Sequence, residues 1–244
     1  MIHLRRLLRA VLSVTVILGM SPSIAEPLKA HEIVYETSFK GIPAGSLVLT
    51  LTTGSSANAW HYETRALPNV LASLVINSSA REQGWFSVTT DGVIPQHYLL
   101  ESGEKNSRHN TELSYDWTAN HITGQVEGVA LTISAPTQLQ DVSSIRIAPT
   151  QDLLEGREPH EYTLLDGREI KTFVYTRIGS EHLKTALGDV DTVIFNSLRK
   201  GADPNGRSWR YWYAPSLGWL PVRIEQREGG SARLVFKARS LHWL

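Results

Sequence analysis

The sequence predicts a mainly β protein: one curved antiparallel sheet, a half-barrel or clamp, carrying two short helical insertions. Three observations predict it. Short segments of alternating apolar and polar residues recur through the chain. The turns between them are too short for parallel crossovers. The closing stretch from Ser208 to Leu241 reads as one aromatic strand, a Pro/Gly corner, and two alternating strands joined through Glu228-Gly229-Gly230.

The N-terminus has the parts of a secretory signal peptide. Arg5, Arg6 and Arg9 form a basic region, Ala10 to Met20 is apolar, and Ser23-Ile24-Ala25 is a small-x-small cleavage site. The apolar run has 11 residues, and a spanning helix needs about 20. Cleavage after Ala25 is expected, with residues 26–244 forming a single antiparallel β-domain in the periplasm and no transmembrane span after processing. Of the 24 basic and 24 acidic residues, the signal removes three arginines. The near-neutral remainder has no basic stripe, so nothing favours a nucleic-acid partner. Cysteine is absent, which excludes thiol catalysis and cysteine metal sites and leaves stability to the apolar core.

From Glu32 to Lys40 the chain alternates, with Ile33, Tyr35, Thr37 and Phe39 on one face. Gly41-Ile42-Pro43-Ala44-Gly45 reads as a turn, and strands follow at Ser46–Thr53 and Trp60–Ala66. Leu67, Val70, Leu71, Leu74 and Val75 then share one face of a helix, with Pro68 in its first turn. This Leu67–Ile76 helix is expected either to plug the core or to act as a lid over an open β-surface. Strands resume at Ala80–Val88, Pro95–Glu101, Thr111–Trp117, His121–Val126 and Val129–Ser134. In 136–156, Asp141 caps a short helix carrying Val142, Ile145 and Ala148, and Pro149 starts another turn ending near Leu154. Meander plus short helix thus occurs twice, a plan of two similar halves meeting near 136–156. Strands are expected again at Glu161–Leu165, Glu169–Ile178, His182–Leu187 and Asp191–Arg199, with a turn at Gly179-Ser180.

In the closing stretch, Trp209, Tyr211 and Tyr213 alternate with Arg210 and Trp212. A three-residue loop at Glu228-Gly229-Gly230 would set Ile224 opposite Leu234, Val222 opposite Phe236 and Glu225 opposite Arg233, keeping apolar residues on one face.

Chemistry is sparse. There is no nucleophile elbow, phosphate loop, dinucleotide fingerprint or zinc-helix motif. None of the nine histidines pairs at metal-ligand spacing. His109 and His121 can approach across a hairpin, and Glu101/Glu104 or Glu225/Glu228 can form a carboxylate dyad, but solvated surface groups are the commoner case for all of them. No catalytic residue, metal or cofactor is therefore assigned. The contact residues singled out are Leu71, Leu74, Arg81, Trp85, Trp212 and Arg223, where the sheet meets the Leu67–Ile76 helix.

Tyr35 with Gly41-Ile42-Pro43-Ala44-Gly45, then Trp212-Tyr213-Ala214-Pro215, then Leu220-Pro221-Val222-Arg223-Ile224, resembles the exported bacterial proteins of domain-of-unknown-function family 3108. The resemblance implies an exported, mostly antiparallel β-protein. It carries over no catalytic residue. The leading expectation is non-enzymatic binding of an apolar or amphipathic ligand, such as a lipid, in the cell envelope. An envelope structural or assembly factor acting through a protein partner is the alternative, and a hydrolase of envelope glycans or lipids the third reading.

Overall fold

The computed structural model describes residues 27–56, 58–74, 79–103 and 108–244. The expected signal peptide, Val75–Ile76, and residues 104–107 of the polar loop lie outside them. All fourteen strands form one antiparallel sheet. The first eight are β1 (His31–Phe39), β2 (Ile42–Thr53), β3 (Ala59–Pro68), β4 (Arg81–Thr89), β5 (Gly92–Glu101), β6 (Thr111–Asp116), β7 (His121–Val126) and β8 (Val129–Ser134). The last six are β9 (Glu161–Asp166), β10 (Glu169–Thr185), β11 (Gly188–Arg199), β12 (Ser208–Ala214), β13 (Leu220–Glu228) and β14 (Ser231–Trp243).

The two meanders join side by side through β1 and β14, so β8 and β9 are the outer edges of the sheet. The sheet is not closed by a β8–β9 ladder. Its edges nevertheless converge: Leu165 of β9 packs in one cluster with Leu113, Ile122 and Leu131 of β6–β8. Residues 135–160 connect the two edges. Gln140 adds to β9 as a parallel bridge, with its N–H on the Thr163 carbonyl at 2.8 Å and its own carbonyl accepting from Leu165 N–H at 2.9 Å. That pairing covers part of an otherwise open strand edge.

The connector holds a 3-10 turn at Ser144–Arg146 and a helix, α1 (Ala148–Leu154), with Pro149 in its first turn. The single helix expected to carry Val142, Ile145 and Ala148 is instead this turn, with Ser143 at its cap position, followed by α1, but the Asp141 side chain does bind the amides at the start of the turn. Its Oδ1 accepts from the N–H groups of Ser143 (2.9 Å) and Ser144 (2.8 Å) and from the Ser143 hydroxyl (2.6 Å). A helix start leaves such amides unpaired, and an Asp side chain satisfies them.

Several local expectations change. Over the described part of the expected 67–76 helix, residues 67–74, the chain is strand through Pro68 and then a 3-10 turn at Ala72–Leu74. Val70 and Leu71 do not plug the core: they are 85% and 69% exposed. The physical reason is Asn69, whose side chain donates to the Pro43 carbonyl (2.7 Å) and accepts from Ala72 N–H (2.9 Å). This local turn competes with helix at a point where the sheet has already ended. Gly179-Ser180 is not a turn: both residues continue β10 just past a bulge at Ile178, where the register with β11 shifts between Arg177 and Gly179. The five-residue turn at 41–45 narrows to Lys40-Gly41, both with positive φ.

The final hairpin also differs. Its loop is the two residues Gly229-Gly230, with φ of 56° and 76°, and Glu228 pairs with Ser231. A bulge at Arg233 then sets Ile224 opposite Phe236 and Glu225 opposite Val235. Two adjacent glycines favour the tight turn, and the bulge restores the facing that a three-residue loop would have provided.

Candidate functional site

The concave side of the sheet is not filled by its own side chains. A cavity of about 610 Å³ lies between β1–β3, the connector and β9–β14. That volume is in the ~300–1,000 Å³ range of small-molecule sites. β12 supplies its main wall. Strand alternation turns Trp209, Tyr211 and Tyr213 inward, and their rings stack along the strand, with Tyr211 5.8 Å from Tyr213 and 6.5 Å from Trp209. Tyr175 of β10 stacks on Tyr211 at 5.8 Å. Leu47, Tyr35 and Tyr62 line the opposite side. Burial pushes the phenol pKa values of Tyr35, Tyr62, Tyr175, Tyr211 and Tyr213 upward, so the wall stays uncharged. His31, also lining, is lowered by burial and its Nδ1 lies 2.8 Å from the Lys29 carbonyl.

The connector forms the remaining wall through Val142, Ile145, Arg146, Ile147 and Thr150. Arg146 donates to the Tyr62 hydroxyl at 2.6 Å and pairs with Glu82 at 3.1 Å. Its side chain keeps 39% of its surface, although it sits deep among buried neighbours, because that surface faces the cavity. The Glu82 and Tyr62 partners outweigh desolvation and hold its pKa above the usual guanidinium value.

The cavity opens at one rim of the sheet. At that rim Arg199 and Arg207 are exposed, whereas His31, Ile147, Thr150 and Leu220 at the far end are buried. Successive pairings carry the same rim from Leu198 through Ser208 and Arg227 to Ala232, and two residues further along β14 Leu234 pairs with Phe39. There the turns expose Phe39 (51%), Ile42 (63%) and Leu67 (52%) beside Val70 and Leu71.

The residues singled out from sequence lie elsewhere. Trp212 is only 4% exposed and faces away from the cavity, its indole N–H donating to Glu181 at 2.7 Å. Arg223 lies over its ring at 4.7 Å and bonds Glu225 through Nε at 2.9 Å. Glu225, nearly fully buried, also accepts from Arg227, while Glu228 pairs with Arg233, so the two carboxylates do not act together. Trp85 lies on the outer face between His61 (4.8 Å) and His97 (5.1 Å). Arg81 lies 3.8 Å from Glu63. Leu71 is on the exposed rim, and the side chain of Leu74 is outside the described set. His121 begins β7 and His109 precedes β6, so the length of the hairpin separates them. The cavity wall was signalled only by the inward alternation of Trp209, Tyr211 and Tyr213.

Fold and site define a class: a barrel-like open antiparallel sheet enclosing an aromatic cavity. The chain belongs to the family described as Protein of unknown function (DUF3108), whose model matches residues 34–237. Among curated proteins none matches the sequence. Among solved structures it is similar to the beta-barrel-like protein of domain of unknown function DUF1849 from Brucella abortus. That match has 10% identity and a TM-score of 0.57, over 89% of this chain and 98% of that one. A chain of the Pseudomonas aeruginosa MucA/MucB complex matches at 11% identity and TM-score 0.39, over 88% of this chain and 52% of that one. This chain thus spans about half of its length. A Bacteroides fragilis protein with a YmcC-like fold matches at 9% and 0.35, over 88% and 96%. The Brucella likeness shows the fold. Among the described residues, no helix is long and apolar enough to cross a membrane.

Proposed function

We propose that this is an exported envelope protein that holds an apolar or amphipathic ligand in its concave cavity and does no chemistry on it. The single observation behind this reading is the roughly 610 Å³ of space walled by stacked, uncharged aromatic side chains. A sheet whose purpose was only to fold would collapse such a void, because unfilled volume costs stability. Export rests on the signal-peptide pattern of residues 1–25. Native mass spectrometry of protein purified from the periplasm tests the reading. A small co-purifying amphipath is expected, and it should be lost in Leu47→Trp, which places an indole in the cavity. Protein without such a ligand, together with no uptake of the neutral dye N-phenylnaphthylamine, would refute it.

The exposed rim of Phe39, Ile42, Leu67, Val70 and Leu71 favours a second reading. Contiguous apolar surface is a feature of protein contact sites, so an envelope partner docking on this rim is the alternative. Site-specific crosslinking from Ile42 in intact cells separates the two: a discrete protein adduct supports the partner reading.

A further inference from the structure

We propose that the cavity's ligand carries an anionic end group, a carboxylate or a phosphate, and that Arg199 and Arg207 hold it at the mouth. This rests on the ligand-binding reading above and names the ligand's class. Four cationic side chains line the cavity: Arg146, Lys171, Arg199 and Arg207. Two of them are already neutralised. Arg146 pairs with Glu82 at 3.1 Å, and Lys171 with Asp166 at 2.7 Å and Glu169 at 3.3 Å. The side chains of Arg199 and Arg207 make no ion pair or hydrogen bond among the described residues.

Their placement makes this more than two stray surface charges. The β11–β12 ladder ends with Ser197 opposite Trp209 and Leu198 opposite Ser208, and Arg199 and Arg207 are the residues immediately beyond that end, both lining the cavity. Both continue the inward-facing row that contains Ser197 and Trp209. Two like charges brought to the end of one ladder repel, and neither has an ion-pair partner among the described residues to offset that repulsion. A bound anion would remove the repulsion. Two guanidinium groups at the same mouth offer the forked donors that fit a carboxylate or phosphate. An apolar tail attached to that anion would run directly over Trp209 and Tyr211 into the cavity. Deeper in, the ion pair at Arg146 and the neutral phenols offer no second free cation among the described residues, so the charge belongs at the mouth and the tail inside.

The test is displacement of N-phenylnaphthylamine by decanoate, decyl phosphate and decanol, which share one tail length. Each anion is expected to bind about tenfold tighter than decanol at low salt. The advantage should shrink as ionic strength rises. In the Arg199→Gln/Arg207→Gln double variant the anion-to-alcohol affinity ratio should collapse toward one. Whichever anion binds more tightly tells a carboxylate from a phosphate end group. Equal binding of anions and decanol to the unsubstituted protein overturns this proposal while leaving the cavity reading intact. An undiminished anion preference in the double variant overturns the assignment to these arginines. No dye binding at all removes both.

Discussion

Gly84 has no side chain, and the space a Cβ would take is occupied by Ser143. An added Cβ would sit 1.8 Å from the Ser143 hydroxyl oxygen and 2.5 Å from its Cβ. The connector is thereby seated directly on the middle of β4, and the Asp141–Ser143–Ser144 hydrogen bonds fix its path along the cavity wall.

Gly84→Ala is therefore expected to cost about 1–3 kcal/mol, the range for forcing extra atoms into a packed interior. The neighbour cannot yield cheaply, because the Ser143 hydroxyl is bonded to Asp141 at 2.6 Å. Urea unfolding measures it. Gly84→Ala/Ser143→Gly should recover part of the loss by making room, whereas equal midpoints for Gly84→Ala and the unsubstituted protein would show that the connector is not seated this way.

Strand positions were legible because a half-buried strand writes its period of two into the sequence: β7 and β8 match their expected spans and β6 ends one residue short of its own. Bulges were not legible. Arg233 and Ile178 are each one extra residue whose cost is recovered only by pairing with a neighbouring strand. The apolar spacing at Leu67, Val70 and Leu71 was misread as a helix face because periodicity cannot tell that no partner surface lies opposite. The cavity was half legible. The inward turn of Trp209, Tyr211 and Tyr213 follows from alternation, but the opposite wall depends on residues such as Tyr62 and Arg146, 84 positions apart. The arginines at the mouth have no local signal, since Arg199 and Arg207 look like ordinary loop-flanking charges until the end of the β11–β12 ladder brings both to the cavity.

Asp141 carries a pH dependence. Burial pushes its carboxyl pKa above the usual range, against the opposing pull of its hydrogen bonds to Ser143 and Ser144. The folded state then holds the proton more tightly than the unfolded chain. The stability this contributes is present in full below the ordinary Asp pKa and is lost as pH rises through the raised folded value. Asp141→Asn keeps the acceptor oxygen and removes the charge. It should unfold with a flatter pH profile over that window and gain on the unsubstituted protein as pH rises. Asp141→Ala should lose about 1–3 kcal/mol by stranding buried amides. A profile for Asp141→Asn parallel to that of the unsubstituted protein would rule out the raised pKa.

Arg146 and Glu82 form an ion pair at 3.1 Å beside the cavity. The Glu82 side chain keeps 13% of its surface, and its second carboxylate oxygen, Oε1, is buried without a partner. Removing Arg146 would strand that charge, and an uncompensated buried carboxylate is the costly half of a broken pair. Arg146→Met should therefore destabilise by about 1–3 kcal/mol, less than a fully buried pair would, because Arg146 itself faces the open cavity. Glu82→Gln/Arg146→Met should regain most of the loss, giving a coupling energy of about 1 kcal/mol or more in a double-mutant cycle. Additive effects would place the two groups in separate, solvent-screened environments. The double variant also has a functional consequence. With both charges gone and Tyr62 neutral, the deep end of the cavity would become more apolar. Affinity for N-phenylnaphthylamine should rise in it while the anion preference set at Arg199 and Arg207 persists. If removing the deep pair instead abolished that preference, the anion would lie at Arg146 and not at the mouth.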